Sequence, residues 1–337
     1  MGMIDLENLP YDLNHLFQRP MVLHTQSSIK TFRTCPQKYV FRYLLWLDTD
    51  FVNVPFVVGR AIHAGLAIQM SPKIPDEKKP IQVAQAIDKV FDEVYNQPAI
   101  GGEIDGKLRQ GQAQAHALVG LWPVNHAEVI GDWKVKEVEV TVRNLNSTIA
   151  SPLEERMAGR LDALVERMST QQHWLVEHKS RSSMGQTNWI SNLEMDTQAI
   201  WYYHLAKPFY NLEGFYYDIL VKPQHRLGSG TWQDLSERMQ DAISETPEKY
   251  FACPDVLFNQ SAVDRYGEMF KRQIRIIDEL EPRKVYMNDG ACSEYSGCAY
   301  RALCEAGADC ACPRDVMELP EVSMFSLKEP HSELDDE

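Results

Sequence analysis

Residues 159–180 read GRLDALVERMSTQQHWLVEHKS, and this stretch predicts a β-hairpin. Residues 157–167 and 174–179 carry the apolar and β-branched side chains of two strands, and the run between them is polar, as a hairpin connection should be. The hairpin would bring Asp162 beside Glu177.

The acidic and basic side chains of this hairpin form a set suited to phosphodiester chemistry. Side chains two apart on a strand share a face, so Glu177 and Lys179 point the same way. Carboxylate oxygens suit Mg²⁺, and Asp162 and Glu177 are the candidate ligands. Lys179 would hold the attacking water or steady the charge on phosphate. The alternative is a solvated hairpin face, which the same spacing also fits.

Two helical segments add candidates to this set. His63, in the phrase Gly59-x-x-x-His63, offers an imidazole as a further metal ligand, or else is an ordinary helical histidine. Gln198 and Tyr202 are four apart and so share one helix face. That face would line the site and touch DNA. The alternative is a core-facing tyrosine with a surface glutamine.

The order of elements predicts an α/β protein with a β-rich centre between two helical parts. Periodicity predicts helices over 27–34, 37–47, 59–70, 82–96, 107–130, 194–209, 235–251 and 261–280, the first capped by Ser27 or Ser28. Strands are predicted over 133–142, 157–167, 174–179 and 214–221. The regions are an N-terminal extension (1–23), a helical region (24–132), a core (133–225), C-terminal helices with cysteines (226–312) and an acidic tail (313–337).

Seven cysteines in a reducing compartment are metal ligands more often than disulfide partners. Cys292, Cys298 and Cys304 form a C-x5-C-x5-C group, and Cys35 stands alone far upstream. Together they supply the four thiolates of a 4Fe–4S cluster, which would join the N- and C-terminal helical parts. Zinc is the runner-up for this set, and buried thiols without a ligand are the third alternative. Cys253 is interpreted as structural.

The charge of the chain is acidic and unevenly distributed. The formal charge of −14 at pH 7 speaks against a protein that coats nucleic acid by neutralising phosphates. Residues 315–337 hold 8 acids and 1 base, so a charge of −7 lies in this tail. We expect a disordered, solvated end. The alternative is docking of Met324, Phe325 and Leu327 on a basic partner or on the protein's own DNA groove.

Other features bear on partners and location. Four basic residues near Cys35 are candidates for phosphate contacts, or else form a solvated helix face: Lys30, Arg33, Lys38 and Arg42. No apolar run reaches the roughly 20 residues of a membrane helix, and the start MGMIDLENL lacks a secretory signal. We therefore expect a cytoplasmic protein with no membrane partner.

The motifs above resemble those of the PD-(D/E)XK nuclease superfamily, in its RecB-like branch with an iron–sulfur cluster. That branch includes AddB-type helicase-nuclease subunits, CRISPR adaptation exonucleases and related phage exonucleases. The resemblance runs from Ser27 to Cys304. It implies a restriction-endonuclease-like fold with a central mixed β-sheet flanked by helices. The chain departs from the superfamily's name at Leu161, where that name has Pro.

The resemblance also implies which residues act. The metal ligands for Mg²⁺ or Mn²⁺ would be His63, Asp162, Glu177 and the carbonyl of His178. The catalytic lysine would be Lys179, and the Q-x-x-x-Y motif would be Gln198 and Tyr202. The cluster ligands would be Cys35, Cys292, Cys298 and Cys304. Relatives commonly have a shorter first gap in the C-terminal group, so Cys310 or Cys312 is the alternative to Cys292.

The implied function is metal-dependent hydrolysis of DNA by an exonuclease. Its substrate would be single-stranded DNA or DNA ends, in recombination, repair or phage DNA processing within a bacterial or phage-infected cell. One alternative is a non-catalytic DNA-binding or scaffold subunit, which the intact Asp162, Glu177 and Lys179 argue against. The others are an RNA nuclease and an iron–sulfur redox protein, whose function would survive loss of Asp162.

Overall fold

The computed structural model describes residues 23–49, 52–96, 102–143, 156–184, 190–228, 230–280, 285–293, 297–306, 321 and 325–327. These residues divide into two compact units. The first unit takes its described residues from Met1–Phe51, Thr141–Gly159 and Asp264–Glu337, and the second from Val52–Val140 and Arg160–Val263. The predicted metal and catalytic residues all belong to the second unit, and the four predicted cluster cysteines belong to the first.

Most of the predicted helices and strands occur in the predicted order, together with four short strands that were not predicted. In the described ranges, helices α1–α11 span Gln26–Thr34, Pro36–Tyr39, Val54–Met70, Lys79–Tyr95, Gly102–Asn125, Ala127–Ile130, Thr197–Ala206, Trp232–Glu245, Gln260–Asp278, Asp289–Cys292 and Arg301–Glu305. Strands β1–β8 span Leu47–Thr49, Trp133–Arg143, Ala158–Arg167, Gln172–Arg181, Leu212–Val221, Phe251–Ala252, Asp255–Leu257 and Phe325–Leu327. Within the same ranges, no helix combines the length and apolarity needed to cross a membrane.

A mixed sheet forms the centre of the fold. In the described chain its strands run in the order β2-β3-β4-β5-β6, with β7 also paired to β5. Strands β3 and β4 form the predicted antiparallel hairpin. Strand β5 is parallel to β4 and antiparallel to β6 and β7. The predicted class, a central mixed sheet flanked by helices, is confirmed.

Helix α3 packs closely against its neighbours because two glycines remove side chains from the contact. A Cβ on Gly65 of α3 would lie 3.0 Å from a methyl of Val119 in α5. A Cβ on Gly111 of α5 would lie 2.4 Å from a methyl of Val58 in α3, which is closer than real Cβ atoms come. Side chains at these positions would push α3 outward, and with it His63.

The first unit has its own apolar core. Phe41 and Phe325 both stack on the ring of Tyr300, and the Tyr300 hydroxyl donates to the carbonyl of Leu47 at 2.7 Å. Strand β8 pairs antiparallel with β1, and Phe325 is buried. The expectation of a disordered end is therefore wrong for residues 325–327. Met324 and most of the rest of the predicted tail lie outside the described residues.

Two details near the start of the chain also differ from prediction. The cap of α1 is Thr25, whose side chain accepts from the Ser28 amide at 3.1 Å while the Ser28 hydroxyl accepts from the Thr25 amide at 3.0 Å. The predicted serine cap is wrong, since Ser28 is the third helical residue of this reciprocal capping box. The predicted 37–47 helix continues from α2 into a π-helical turn over Val40–Leu44 and then stops, because Trp46 has a left-handed φ of 53°.

Candidate metal centre and its surroundings

Asp162 and Glu177 lie on the neighbouring strands β3 and β4. The antiparallel register pairs Ala163, which follows Asp162, with Val176, which precedes Glu177. Asp162 and Glu177 therefore lie opposite each other on the two strands. The backbone N–H of His178 donates a hydrogen bond to Asp162 Oδ2 at 2.7 Å. The two acidic residues are buried, at 8% and 3% exposure. The hairpin therefore brings the two predicted ligands to one buried place.

His63 reaches Asp162 from α3. Its Nδ1 lies 3.2 Å from Asp162 Oδ1. Burial alone would lower the pKa of His63, but the carboxylates of Asp162, Glu139 and Glu177 raise it to about 9. Burial alone would raise the pKa of Asp162, but the charge and hydrogen bond of His63, together with the His178 amide, lower it to about 2. Without a metal, His63 and Asp162 thus form an imidazolium–carboxylate pair.

Glu139 of β2 is an acidic neighbour that was not among the predicted site residues. One ligand atom each of His63, Glu139 and Asp162 lie within 4.8 Å of one another. The φ of Glu139 is 49°, a left-handed conformation that a non-glycine residue in a strand adopts only when its surroundings impose it. Arg160 Nε lies 2.7 Å from Glu139 Oε2, while burial and the Asp162 charge raise the pKa of Glu139.

The available sequence signal for Glu139 was weak. It lies in a predicted alternating strand, on one face with Val135 and Glu137. Alternation alone does not say which of two acidic residues turns toward Asp162. The backbone at Glu139 departs from regular strand geometry, so strict alternation does not hold there.

Glu177, Lys179, Gln198 and Tyr202 form one hydrogen-bonded network. Lys179 Nζ donates to Glu177 Oε1 at 2.5 Å and to Gln198 Oε1 at 2.7 Å. Gln198 Nε2 donates to Glu177 Oε1 at 2.7 Å and to Tyr202 Oη at 3.1 Å. The Asp196 side chain caps the start of helix α7 by accepting a hydrogen bond from the backbone N–H of Gln198 at 2.7 Å. The predicted strand face and the predicted helix face thus meet.

Burial sets the protonation of this network. It raises the pKa of Glu177 to about 7, although Lys179 acts in the opposite direction. Burial alone would lower the pKa of Lys179, but the charge of Glu177 raises it above its usual value. Burial also raises the pKa of Tyr202 well above its usual value. At neutral pH, Lys179 is therefore an ammonium and a donor, and Tyr202 is a neutral phenol.

The donor set fits a divalent cation. Glu177 Oε1 is held by Lys179 and Gln198, while Glu177 Oε2 is buried and has no hydrogen-bond partner among the described residues. A buried carboxylate oxygen without a partner is costly, and a cation removes that cost. Three carboxylates with one imidazole form an oxygen-rich set of the kind that Mg²⁺ and Mn²⁺ prefer.

His178 is held from the neighbouring strand by Asp218. Its Nδ1 lies 2.6 Å from Asp218 Oδ2, to which Trp122 Nε1 also donates at 2.8 Å. Burial alone would raise the pKa of Asp218, but its contacts with His126 and His178 hold it well below its usual range. These partners fix the His178 ring, and with it the peptide that binds Asp162. A single acid in an apolar strand carries no spacing signal, so Asp218 was not predicted.

The predicted cluster cysteines are gathered in the first unit. The side-chain amide of Asn288 donates to the carbonyl of Thr34 at 2.8 Å, which joins the segment before Cys35 to the segment before the C-terminal group. The backbone N–H of Cys298 donates to the carbonyl of Cys292 at 3.0 Å. The bond between Asn288 and Thr34 therefore joins two segments that are distant in the sequence.

Two of these thiols, Cys292 and Cys304, have raised pKa values. Burial, followed by the charges of Cys298, Cys35 and Cys292, raises the pKa of Cys304 to about 12. Burial, Cys298 and Cys35 likewise raise the pKa of Cys292. The charges of Cys35 and Cys298 thus contribute to the raised pKa of both Cys292 and Cys304.

The remaining predicted residues lie elsewhere on the first unit. Lys30, Arg33 and Arg42 are exposed, and Lys38 is half-buried. The guanidinium of Arg42 lies 5.5 Å from the centre of the Tyr43 ring. Contact of these residues with DNA stays a prediction. Cys310 and Cys312 lie outside the described residues.

Comparison with known proteins gives one family. The sequence profile of the PD-(D/E)XK nuclease superfamily matches residues 24–305. That span is most of the chain, and it contains the sheet, the group around Asp162 and the four predicted cluster cysteines. No curated protein matches the sequence.

Proposed function

The chain belongs to the PD-(D/E)XK nuclease superfamily, which implies a metal-dependent nuclease, and from this premise we propose that it is a Mg²⁺- or Mn²⁺-dependent DNA exonuclease. The observation that carries the proposal is the buried hairpin site, where Asp162 contacts His63 and Glu177 contacts Lys179. The proposed substrates are single-stranded DNA or DNA ends in recombination, repair or phage DNA processing. The RecB-like iron–sulfur branch is part of the same proposal.

His63, Glu139, Asp162 and Glu177 would hold the cation, with the His178 carbonyl as a further ligand. The bound cation would polarise the scissile phosphate and lower the pKa of the attacking water. The unpartnered Oε2 of Glu177 supports this assignment. So does the low pKa of Asp162, which keeps that side chain ionised across the physiological range.

Lys179 would act as a donor rather than as a base. Its ammonium is held by Glu177 and Gln198, which leaves it one further proton to donate to the attacking water or to a phosphate oxygen. Gln198 fixes the direction of that ammonium through its own contact with Tyr202. Such preorganised positive charge lowers the energy of the phosphorane-like transition state.

We also propose that Cys35, Cys292, Cys298 and Cys304 hold a 4Fe–4S cluster. The contact between Asn288 and Thr34 supports it, as do the raised pKa values of Cys292 and Cys304, to which Cys35 and Cys298 contribute. The cluster would close a long loop, where closure entropy is large, and so its role would be structural.

Degradation of end-labelled linear DNA tests the proposed activity. Single-stranded and double-stranded substrates, labelled at the 5′ or the 3′ end, are incubated with Mg²⁺ or Mn²⁺, with chelator as the blank and RNA of the same sequence beside them. We expect linear DNA to be degraded and a covalently closed circle to stay intact, because an exonuclease needs an end. Cutting of the closed circle would overturn the exonuclease assignment, and degradation of RNA alone would overturn DNA as the substrate.

Asp162→Asn is the matched control. It keeps an oxygen that accepts from the His178 amide but removes the charge that faces His63. We expect its cleavage rate to fall by more than the about 10- to 100-fold typical of changes to groups outside a metal's direct ligands. Equal cleavage by the variant and the wild type would contradict the proposed site.

A further inference from the structure

A second group of metal-ligating side chains lies in the second unit. His126 precedes α6, Asp218 lies in β5 and Cys253 directly follows β6. One ligand atom of each lies within 4.8 Å of the others. This group shares no residue with the group of His63, Glu139 and Asp162.

The ring of His126 is oriented as metal-binding imidazoles are. Its Nδ1 lies 3.1 Å from the carbonyl oxygen of Trp122, and since a carbonyl only accepts, Nδ1 carries the proton. In the neutral ring, Nε2 then presents a lone pair to Asp218 Oδ1 at 2.9 Å. Two acceptor atoms at this distance repel each other unless a cation or a proton lies between them. A histidine tied through its other nitrogen to a backbone carbonyl is the usual arrangement of a metal ligand.

The two oxygens of Asp218 have different surroundings. Oδ2 contacts Trp122 Nε1 and His178 Nδ1. Oδ1 lies 2.9 Å from His126 Nε2, and Asp218 is 0% exposed. A fully buried carboxylate is costly unless a donor or a positive charge lies beside each oxygen. A cation bound by both Oδ1 and His126 Nε2 would supply that charge, so Oδ1 is the candidate ligand atom of Asp218.

Cys253 adds a thiol to the imidazole and the carboxylate. It packs against the apolar core of the second unit. Burial of the thiol, together with the charges of Asp218 and Asp255, raises its pKa well above the usual value, so without a metal it is neutral. A bound transition-metal ion would stabilise the thiolate, and the thiol proton would leave to solvent. A thiolate ligand selects ions of the zinc class and disfavours Mg²⁺.

We propose that His126 Nε2, Asp218 Oδ1 and Cys253 Sγ bind one divalent transition-metal ion of the zinc class at a structural site. The ion would join the start of α6 to strand β5 and to the turn after β6. Because Asp218 also holds His178, the ion would stiffen the β4–β5 pair on which Glu177 lies.

Thermal unfolding of the full chain with zinc tests this site. Protein depleted with chelator under reducing conditions is titrated with Zn²⁺, and we expect Tm to rise by about 5 °C at a zinc concentration a hundredfold above Kd. Cys253→Ser and His126→Gln should lose this rise. Asp162→Asn, which alters the other group, should keep it. A wild-type Tm that does not change with zinc overturns the proposal, since His126 and Asp218 would then contact each other with no ion between them. A rise that persists in Cys253→Ser overturns it as well.

Zinc X-ray absorption of the wild-type protein needs no variant and separates the two cysteine sites. The proposed site predicts one sulfur at about 2.3 Å with nitrogen and oxygen at about 2.0–2.2 Å. A shell of sulfur alone would assign the zinc to the cysteines of the first unit and would overturn the proposal.

Discussion

The backbone N–H of His178 donates to Asp162 Oδ2 at 2.7 Å, so the strand that carries Glu177 also holds the carboxylate on the neighbouring strand. The other oxygen of Asp162 faces His63 Nδ1 at 3.2 Å. Two elements, β4 and α3, therefore fix one side chain before any cation arrives. Ligands whose direction is already set lose little entropy on binding, which favours metal affinity.

Glu139→Gln should weaken metal binding. The substitution removes a charge from the group of His63, Glu139 and Asp162 while keeping the size of the side chain. We expect the affinity for Mn²⁺, measured by calorimetry, to fall about 10-fold or more. The matched control is Glu137→Gln on the same strand, since Glu137 instead accepts from the Tyr210 hydroxyl at 2.8 Å. Equal affinities for the two variants would remove Glu139 from the site.

Lys179→Met should shift the pH dependence of metal binding and should also lower the cleavage rate. Lys179 lowers the pKa of Glu177, which burial raises to about 7, so without the ammonium that pKa rises further. Glu177 must be ionised to bind a cation, and half-maximal metal binding should therefore shift to higher pH. Lys179→Arg keeps the positive charge and should therefore keep the wild-type pH dependence of metal binding. An unshifted midpoint in Lys179→Met would show that the two side chains are not coupled.

Metal binding should release protons. The pKa of His63 is raised to about 9 and that of Glu177 to about 7, and both groups must lose a proton to become ligands. We expect release of about two protons per cation at pH 6, about one at pH 8 and none above about pH 10. Apparent affinity should rise with pH over the same range. Calorimetry in buffers of different ionisation enthalpy measures the number directly.

His63→Gln is the control for the number of protons released on metal binding. It should lose about one released proton at pH 8, where Glu177 is already ionised. A wild-type protein that binds Mn²⁺ with no proton release at pH 8 would contradict the role of His63 as a ligand.

Cys298→Ser should bleach the protein and lower its stability. Loss of one thiolate from the proposed 4Fe–4S set should abolish visible absorbance in anaerobically purified protein and lower Tm by about 5 °C or more. Cys253→Ser, in the other unit, should keep the visible spectrum. A coloured Cys298→Ser protein with the wild-type spectrum would remove Cys298 from the ligand set.

Local pattern predicted the hairpin and most elements because their signals lie within one segment. Alternation and a polar connection identified β3 and β4, and helical periodicity identified the helix that carries His63. The spacing of Gln198 and Tyr202 gave their shared face, which the structure turns toward Glu177. These features need no knowledge of what packs against them.

Other features depend on partners far along the chain, and local pattern does not contain them. Residues 235–251 were predicted as one helix, but α8 ends at Glu245 and Phe251 pairs with Leu220 in the sheet. Strand β1 forms because Leu47 meets Leu327, and periodicity within either segment does not reveal the other. Asp218 gains its role only where β5 comes to lie beside His178.

The most direct test of the account is a crystal structure of the protein with Mn²⁺, read by anomalous scattering. We predict one peak bonded to both Asp162 and Glu177, with carboxylate oxygens at about 2.0–2.3 Å and His63 or Glu139 completing the protein ligands. A peak that contacts only one of these two strands, or no peak at saturating Mn²⁺, would contradict the claim that they share one cation.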